Sequence, residues 1–227
     1  IVEMIPVDQR RVVRHRRLKC FGIGESDLEA MLPDLIARER YPRVGITVSR
    51  ATITLRVTAR ERDEASCWTA MGPTVATIRE CLGDLIFGEE DDELQHVVGR
   101  MLAARQQTLA TAEHYTGGLL AGWLAAIPEA ELVFRSGHLL TTETARDEES
   151  VQRIASQLRV DSQADLTLVV GSLAEPPAGD DVGRIHFALA SDAGVQTRTT
   201  QDIGHPDIRQ ARVAKAALDL LRKHLAS

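Results

Sequence analysis

The sequence predicts an α/β protein in which a small α+β module precedes a three-layer α/β/α sandwich. Residues 1–100 combine strand-like alternation with helical patterns, and residues 101–227 alternate strands with helices. Residues 166–170 are apolar throughout, which is typical of a central strand in a sheet that helices cover on both faces. We therefore expect two domains with a boundary near residue 100.

The first module is predicted to contain an N-terminal linker strand, two helices and two further strands. Residues 25–40 carry apolar side chains at helical spacing, with Ser26 as the N-cap and Glu29 completing a capping box. The two strands and the second helix are predicted at 44–49, 52–59 and 64–82.

Residues 89–93 form an acidic run that is either a metal site or the start of a helix. Acidic side chains are favoured at a helix N-terminus by the dipole. Apolar residues follow at helical spacing, namely Leu94, Val97, Val98, Met101 and Leu102. We expect a helix that leads the chain into the second domain.

The second domain is predicted to alternate its element types. Strands are expected at 108–112, 131–140, 166–171, 183–190 and 194–200, and helices at 117–127, 148–159 and 206–225. The last helix is amphipathic, and its apolar face consists of Val213, Ala217, Leu218, Leu221 and Leu225.

The charge pattern argues against a large polyanion-binding surface. The net charge of −6 is spread over both halves of the 227 residues, and 44% of the residues are hydrophobic, enough for two buried cores. One basic cluster is interpreted as a solvated strand face; it comprises Arg10, Arg11, Arg14, Arg16, Arg17 and Lys19.

Cysteine and histidine spacing predicts no metal site. The cysteines, Cys20, Cys67 and Cys81, are odd in number and lack ligand spacing, which suits a reducing cytosol. No histidine pair has the spacing of a zinc motif. No apolar run reaches the ~18 residues of a membrane span, and no signal peptide opens the chain. We expect a cytoplasmic protein with no cofactor and no membrane partner.

Residues 112–118 are the most informative stretch for function. They lie between an apolar, β-capable segment and a run of good helix formers. A strand, a Thr-Gly-Gly turn and a helix in that order can present backbone N–H groups to an anion, although such a junction is also common as an ordinary tight turn.

Four stretches resemble motifs of one protein family, in the same order. Residues 18–26 are similar to L-R-x-F-G-I-G-E-S, residues 55–60 to L-R-L-T-A-R, and residues 82–92 to L-G-D-Y-I-Y-G-E-D-D. Residues 108–118 resemble T-x-A-T-A-E-S-C-T-G-G, which opens the C-terminal domain of the CinA (competence/damage-inducible protein A) family. Because these matches are collinear and cover most of the chain, the protein is identified as a member of that family.

The resemblance implies a KH-like first module and an amidase-like second domain. A KH module that binds nucleic acid clamps it with a Gly-x-x-Gly loop, and residues 1–100 contain none. We therefore expect the module to be a spacer or dimer-forming element, with no nucleic-acid partner. Family members usually carry a further N-terminal domain, similar to molybdopterin-cofactor-binding proteins and associated with ADP-ribose pyrophosphatase activity. Since the chain begins at Ile1 without it, we expect a C-terminal fragment of a longer protein.

The resemblance also implies a reaction, the hydrolysis of nicotinamide mononucleotide to nicotinic acid mononucleotide and ammonia. Active members use the serine of E-S-C-T-G-G as nucleophile and the lysine of Y-S-N-E-A-K as its base. Here His114 stands at the serine position and Arg146 at the lysine position, with Thr141 in place of the tyrosine. Arginine stays protonated near neutrality and cannot serve as a general base. The third motif, T-G-I-A-G-P-x-G-G, is degraded in residues 170–179.

Three functional hypotheses remain from the sequence. The first is a catalytically inactive domain that binds nicotinamide mononucleotide or a related nucleotide, or that supports a homodimer or higher homo-oligomer. The second is an active amidase with catalytic residues rearranged around His114, and the third, nucleic-acid binding, has little support. The degenerate catalytic positions are His114 and Arg146, and the expected ligand-binding residues are Glu113, Tyr115, Thr116, Gly117, Gly118, Thr141 and Arg209.

Overall fold

The chain folds into two compact units in a computed structural model. The structure describes residues 11–32, 34–37, 39–140, 145–175 and 182–227. The two units divide between Asp92 and Glu93. None of the helices in these ranges is long and apolar enough to cross a lipid bilayer.

The first unit is an antiparallel four-stranded sheet with helices packed on one face. Its elements are β1 (Val12–Cys20), α1 (Glu25–Met31), β2 (Arg43–Ser49), β3 (Thr52–Glu61), α2 (Glu64–Leu82) and β4 (Ile86–Glu89). The strands lie in the order β2-β3-β1-β4. Alternate residues of β1 and β3, such as Leu18 and Leu55, are fully buried against α2, which contributes Met71 and Ile78 to the same core.

The helix predicted over residues 64–82 is confirmed as α2, but the first helix is shorter than predicted. It begins after Gly24, which is the N-cap and makes no side-chain capping bond, so the capping box of Ser26 and Glu29 is wrong. It ends at Met31 instead of continuing to residue 40. The sequence explains the early end, because Pro33 disfavours a helical conformation at Leu32.

The helix expected after the acidic run is confirmed as Leu94–Arg105, but of the run only Glu93 belongs to its start. Glu89 ends strand β4, which the sequence did not predict, and only Glu93 caps the next helix. Glu89 binds Arg16 and Arg79, while Glu90 binds Arg17. Glu89, Glu90 and Asp91 are therefore ion-pair partners of arginines on β1 and α2, whereas Glu93 pairs with Lys215.

The second unit is a mixed five-stranded sheet between two layers of helices. Its elements are α3 (Leu94–Arg105), β5 (Leu109–Glu113), α4 (Leu119–Ala125), α5 (Ala130–Val133), β6 (Phe134–Leu139), α6 (Glu148–Ser162), β7 (Leu166–Ala174), β8 (Arg184–Ser191), β9 (Gly194–Gln201) and α7 (Pro206–Ala226). The strand order is β6-β5-β7-β8-β9; β5 pairs parallel with β6 and β7, and the pairs β7/β8 and β8/β9 are antiparallel.

The three predicted layers are confirmed by the alternation of buried side chains. Ala112 and Val169 point toward α6, whereas their neighbours along the strands, such as Leu168, point to the opposite face. Helices α4 and α7 cover that second face, and α3 packs against α7. This packing places α3 in the second unit, so the division of the chain precedes the expected boundary near residue 100.

One strand of the second unit was predicted too long. Residues 131–140 begin with the short helix α5 and only then continue as β6. A short apolar run fits either period, and here Val133 is buried in a helical turn that packs against α3 and α4. The apolar face predicted for α7 is confirmed, since all five of its residues are buried.

Candidate functional site

The turn at residues 114–118 directly follows β5, an interior strand of the sheet. The chain leaves the sheet after Glu113 and enters α4 through two glycines. Gly117 and Gly118 have φ values of 62° and 95°, in the left-handed region that favours glycine. A Cβ at Gly118 would also come within 3.3 Å of the Leu139 side chain. The glycines are therefore required by the backbone path.

The carboxylate of Glu113 lies beneath this turn and binds the start of α4. The side chain is fully buried and accepts hydrogen bonds from the backbone N–H groups of Leu120 at 3.1 Å and Ala121 at 2.8 Å. It also accepts the hydroxyl hydrogen of Thr116, which is buried as well. An acidic group of the chain itself thus occupies the helix start, which differs from the expected phosphate cradle.

His114 stands at the nucleophile position, and no side chain among the described residues is placed to activate it. Its backbone continues the pairing with β7, donating to the carbonyl of Val170 at 3.0 Å. The imidazole is half-buried, and within the described residues it makes no hydrogen bond. Glu113 does not orient it, because the hydrogen bonds that its carboxylate accepts come from the turn and from α4.

Tyr115 connects the turn to the start of the last helix. Its hydroxyl donates to Oδ1 of Asp202 at 2.6 Å, and its carbonyl accepts from the side chain of Gln210 at 3.1 Å. Burial, followed by the bond to the Asp202 carboxylate, raises the pKa of Tyr115 to about 12. The phenol is therefore protonated near neutral pH and cannot act as a base.

Asp202 also anchors the guanidinium of Arg209. Oδ2 of Asp202 lies 3.3 Å from Nη1 of Arg209, whose Nε donates to the carbonyl of Gly204 at 2.9 Å. The Asp202 side chain is only 10% exposed. One carboxylate thus positions both the phenol of Tyr115 and the cation of Arg209.

Arg146 is positioned by a close crossing of two backbone segments. The carbonyl of Ala145 accepts from the N–H of Ser172 at 2.8 Å, next to a bulge in strand β7. A Cβ at Gly171 would overlap the same carbonyl oxygen, so only glycine permits the crossing. The side chain that follows, Arg146, is exposed at the edge of a cavity.

The two arginines expected in the site line one cavity of about 670 Å³. Its walls include Arg146, Leu173, Glu175, Gly183, Asp202 and Arg209. Tyr115 is connected to this cavity by its hydrogen bond to Asp202, which lines the wall. The cavity therefore presents two guanidinium groups and two carboxylates, which suits a ligand that carries charges of both signs.

The predicted site residues fall into two groups. Arg146 and Arg209 line the cavity, whereas Glu113 and Thr116 are buried beneath the turn. Thr141 lies outside the described residues, as do positions 176–179 of the third motif. A separate cavity of about 560 Å³ lies between β6 and α6, and its walls include Arg135, His138 and Asp161.

Sequence reasoning missed Asp202, Gln210 and Glu175. Asp202 could have been found from its position directly after strand β9, at the same end of the strands as the turn after β5. Among the described residues, no group of three or more His, Cys, Asp or Glu side chains could hold a metal ion.

The fold and the cavity define a KH-like module followed by an α/β/α domain. The damage-inducible protein CinA KH domain matches residues 15–88, and the CinA C-terminal domain matches residues 91–139 and 135–225. The chain belongs to the CinA family, as its motifs indicated.

Relatives and solved structures agree with this family. A CinA-like protein from Frankia casuarinae is 35% identical, covering 96% of this chain and 55% of the relative. A competence-damage inducible protein from Symbiobacterium thermophilum is 32% identical, covering 92% and 56%. The chain spans about half the length of the curated relatives it matches. A CinA superfamily protein from Klebsiella pneumoniae has a TM-score of 0.51 at 25% identity, over 59% of this chain and 96% of that one.

Proposed function

We propose that the second unit binds nicotinamide mononucleotide, or a related nucleotide, without hydrolysing it. The observation that carries the proposal is the cavity with Arg146 and Arg209 on its wall beside Asp202 and Glu175. Nicotinamide mononucleotide has an anionic phosphate and a cationic pyridinium ring. A guanidinium suits the phosphate, and a carboxylate suits the ring.

The loss of catalysis is supported by the side chains at and next to the family's catalytic positions, His114 and Arg146. Carboxamide hydrolysis needs an activated nucleophile and a base. An arginine such as Arg146 is not a general base, Tyr115 remains a phenol, and the hydroxyl of Thr116 is buried against Glu113. Loss of a nucleophile in a covalent hydrolase lowers the rate by about 10⁴- to 10⁶-fold.

The second candidate is an amidase centred on His114. An imidazole can attack an acyl carbon, and this one is half-buried at the position of the family's nucleophile. The two candidates differ in one observable quantity, the release of ammonia from nicotinamide mononucleotide.

The decisive experiment combines ligand binding with turnover. We expect nicotinamide mononucleotide to raise the unfolding temperature, with a stabilisation of about 2.7 kcal/mol when its concentration is 100 times Kd. Adenosine monophosphate, which lacks the pyridinium, and nicotinamide riboside, which lacks the phosphate, should stabilise less. Arg146→Ala should weaken binding, whereas Arg153→Ala, an exposed arginine of α6, should leave it unchanged.

Turnover is followed in the same samples as ammonia release. No release from the wild type, together with stabilisation that depends on Arg146, supports the binding function. Release that disappears in His114→Ala supports the second candidate instead. If no nucleotide stabilises the protein, the proposed binding function is wrong, and a role in homo-oligomer formation becomes the one to test by sedimentation.

A further inference from the structure

The face of the first unit's sheet opposite α2 carries a concentration of positive charge. Residues that lie directly opposite in antiparallel strands share a face, so the strand register assigns each side chain. This basic face contains Arg17, Lys19, Arg43, Arg56 and Arg60, with His15 among them. Arg43, Arg56 and Arg60 are exposed. Among strand residues on this face, the uncharged ones are mainly threonine and glycine.

The basic cluster read from the sequence is divided between two faces of the sheet. Arg14 and Arg16 point toward the helices, where they bind Glu64 at 2.9 Å and Glu89 at 3.0 Å. Arg17 and Lys19 alternate with them and point the other way. Arg10 lies outside the described residues. The helix-side arginines are thus neutralised by carboxylates, and the basic face is a separate surface.

Two arginines on this face stand directly opposite each other. Arg17 of β1 and Arg56 of β3 are paired in the register, an arrangement that like charges make unfavourable. Glu90 and Asp91 bind Arg17 at 3.1 and 3.0 Å. For Lys19, Arg43, Arg56 and Arg60, the described part of the chain supplies no carboxylate at ion-pair distance.

The pKa of His15 is affected by the positive charges on this face. Burial is the first cause that lowers its pKa, and the positive charges of Arg56 and Arg17 lower it further. A nearby anion would reverse this effect, as Glu90 already does in part by raising the pKa of His15.

We propose that the basic face binds the phosphodiester backbone of a single-stranded nucleic acid. A protein–protein interface has a core depleted of charged residues, whereas the centre of this face is Arg17, Arg56 and Gly45. Interfaces with nucleic acids are polar and strongly positive. Thr54 adds a hydroxyl donor between the cations, whereas the hydroxyl of Thr58 is hydrogen-bonded to Nδ1 of His15 at 2.9 Å.

The shape of the face favours a single strand over a duplex. A flexible strand follows a twisted sheet, whereas a duplex with a persistence length of about 150 base pairs contacts it only along a line. The paired strands place no aromatic side chain on this face, so binding does not depend on base stacking and has little sequence preference. The expectation of no nucleic-acid partner rested on the charge balance of both halves and on the missing Gly-x-x-Gly loop, whereas the strand register brings several cations together on one open face of the sheet.

The test measures binding of a fluorescein-labelled oligothymidylate to the whole chain by fluorescence anisotropy over a range of salt concentrations. We expect affinity to fall steeply with salt. Arg56→Glu should weaken binding by about tenfold and lower the salt slope by at least about 0.7, the contribution of one phosphate contact in a single strand. Arg153→Glu makes the same change in net charge on α6 and should leave both quantities unaltered.

Three results would overturn the assignment. One is no binding at low salt. Another is equal weakening by Arg56→Glu and Arg153→Glu, which would reduce the effect to net charge. The third is tighter binding of polyglutamate or of duplex DNA than of the single strand, which would assign the face to an acidic protein surface or to a duplex. Unchanged circular dichroism of both variants verifies that the fold is intact.

Discussion

The hydroxyl of Tyr115 lies 2.6 Å from Oδ1 of Asp202, and this bond joins the turn after β5 to the segment before α7. Burial and the carboxylate together raise the pKa of the phenol to about 12. The bond therefore stabilises the fold at pH values below the ordinary tyrosine pKa of about 10, and this contribution is lost as the pH rises toward 12.

The Tyr115–Asp202 bond can be tested by an alkaline titration. The chain has two tyrosines, so the Tyr41→Phe background isolates Tyr115 in the absorbance of tyrosinate. We expect Asp202→Asn to lower the pKa of Tyr115 because the negative charge beside the phenol is removed. Asp207→Asn, a highly exposed aspartate nearby, should not change it. A pKa that does not respond to Asp202→Asn would contradict the coupling.

Glu113→Gln should destabilise the second unit by about 2 kcal/mol. The substitution keeps the shape but replaces one acceptor oxygen by an amide NH₂ that faces backbone donors of α4. Urea unfolding measures the free energy. The matched control is Glu131→Gln on the exposed surface of α5, for which we expect a change within about 0.5 kcal/mol. Equal effects of the two substitutions would show that Glu113 does not hold the turn.

Gly171→Ala should destabilise the protein by about 2 kcal/mol and displace Arg146. The new Cβ would overlap the carbonyl oxygen of Ala145 and approach that of His186 to 3.0 Å, and neither is a flexible side chain. Gly122→Ala in α4 is the control; its Cβ meets nothing within 4 Å, and removing a helical glycine should stabilise by about 0.5–1 kcal/mol. A neutral Gly171→Ala variant would mean that the crossing adjusts freely.

The hydrogen bonds between Thr108 and Asp165, which lie just before strands β5 and β7, should make a pH-dependent contribution to stability. The carboxylate accepts from the N–H and the hydroxyl of Thr108 at 2.8 and 2.7 Å, and these bonds lower the pKa of Asp165 below 3.8. Its stabilisation is thus present above the ordinary value and is lost as the pH falls through the lowered one.

Thermal unfolding over a range of acidic pH tests this contribution. Asp165→Asn should lower the Tm at neutral pH, and its difference from the wild type should shrink once Asp165 of the wild type is protonated. Asp192→Asn in the turn between β8 and β9 provides the control. A Tm difference that stays constant down to the lowest pH would exclude an electrostatic origin.

The sequence predicted helices and strands correctly wherever a long periodic pattern of apolar residues coincided with deep burial of those residues. Helix α2, helix α7 and strand β7 have strong apolar patterns and were predicted within a few residues. Strand β4 has four residues and pairs only with β1, so it has too few positions to establish a period. Helix α5 is also too short for its residues to establish a period.

The geometry of the candidate site is determined more by contacts between distant parts of the chain than by local sequence patterns. Motif positions identified Arg146 and Arg209, and the fold brings both to one cavity. The sequence could not show that Glu113 would bind the start of α4, because a carboxylate in this turn could equally face a ligand. Asp202 was missed since its two partners, Tyr115 and Arg209, come together only through the order of the strands.

The contacts that complete the turn join residues far apart in the chain. The bond between Tyr115 and Asp202 spans 87 residues, and that between Gln210 and Tyr115 spans 95. Closing such loops is slow because chain entropy is lost before any contact compensates for it. During folding, β5 and β7 can pair while α7 is still undocked, so we infer that the cavity lined by Arg146 and Arg209 forms last. A nascent chain that has not reached Arg209 would contain the turn without a cavity.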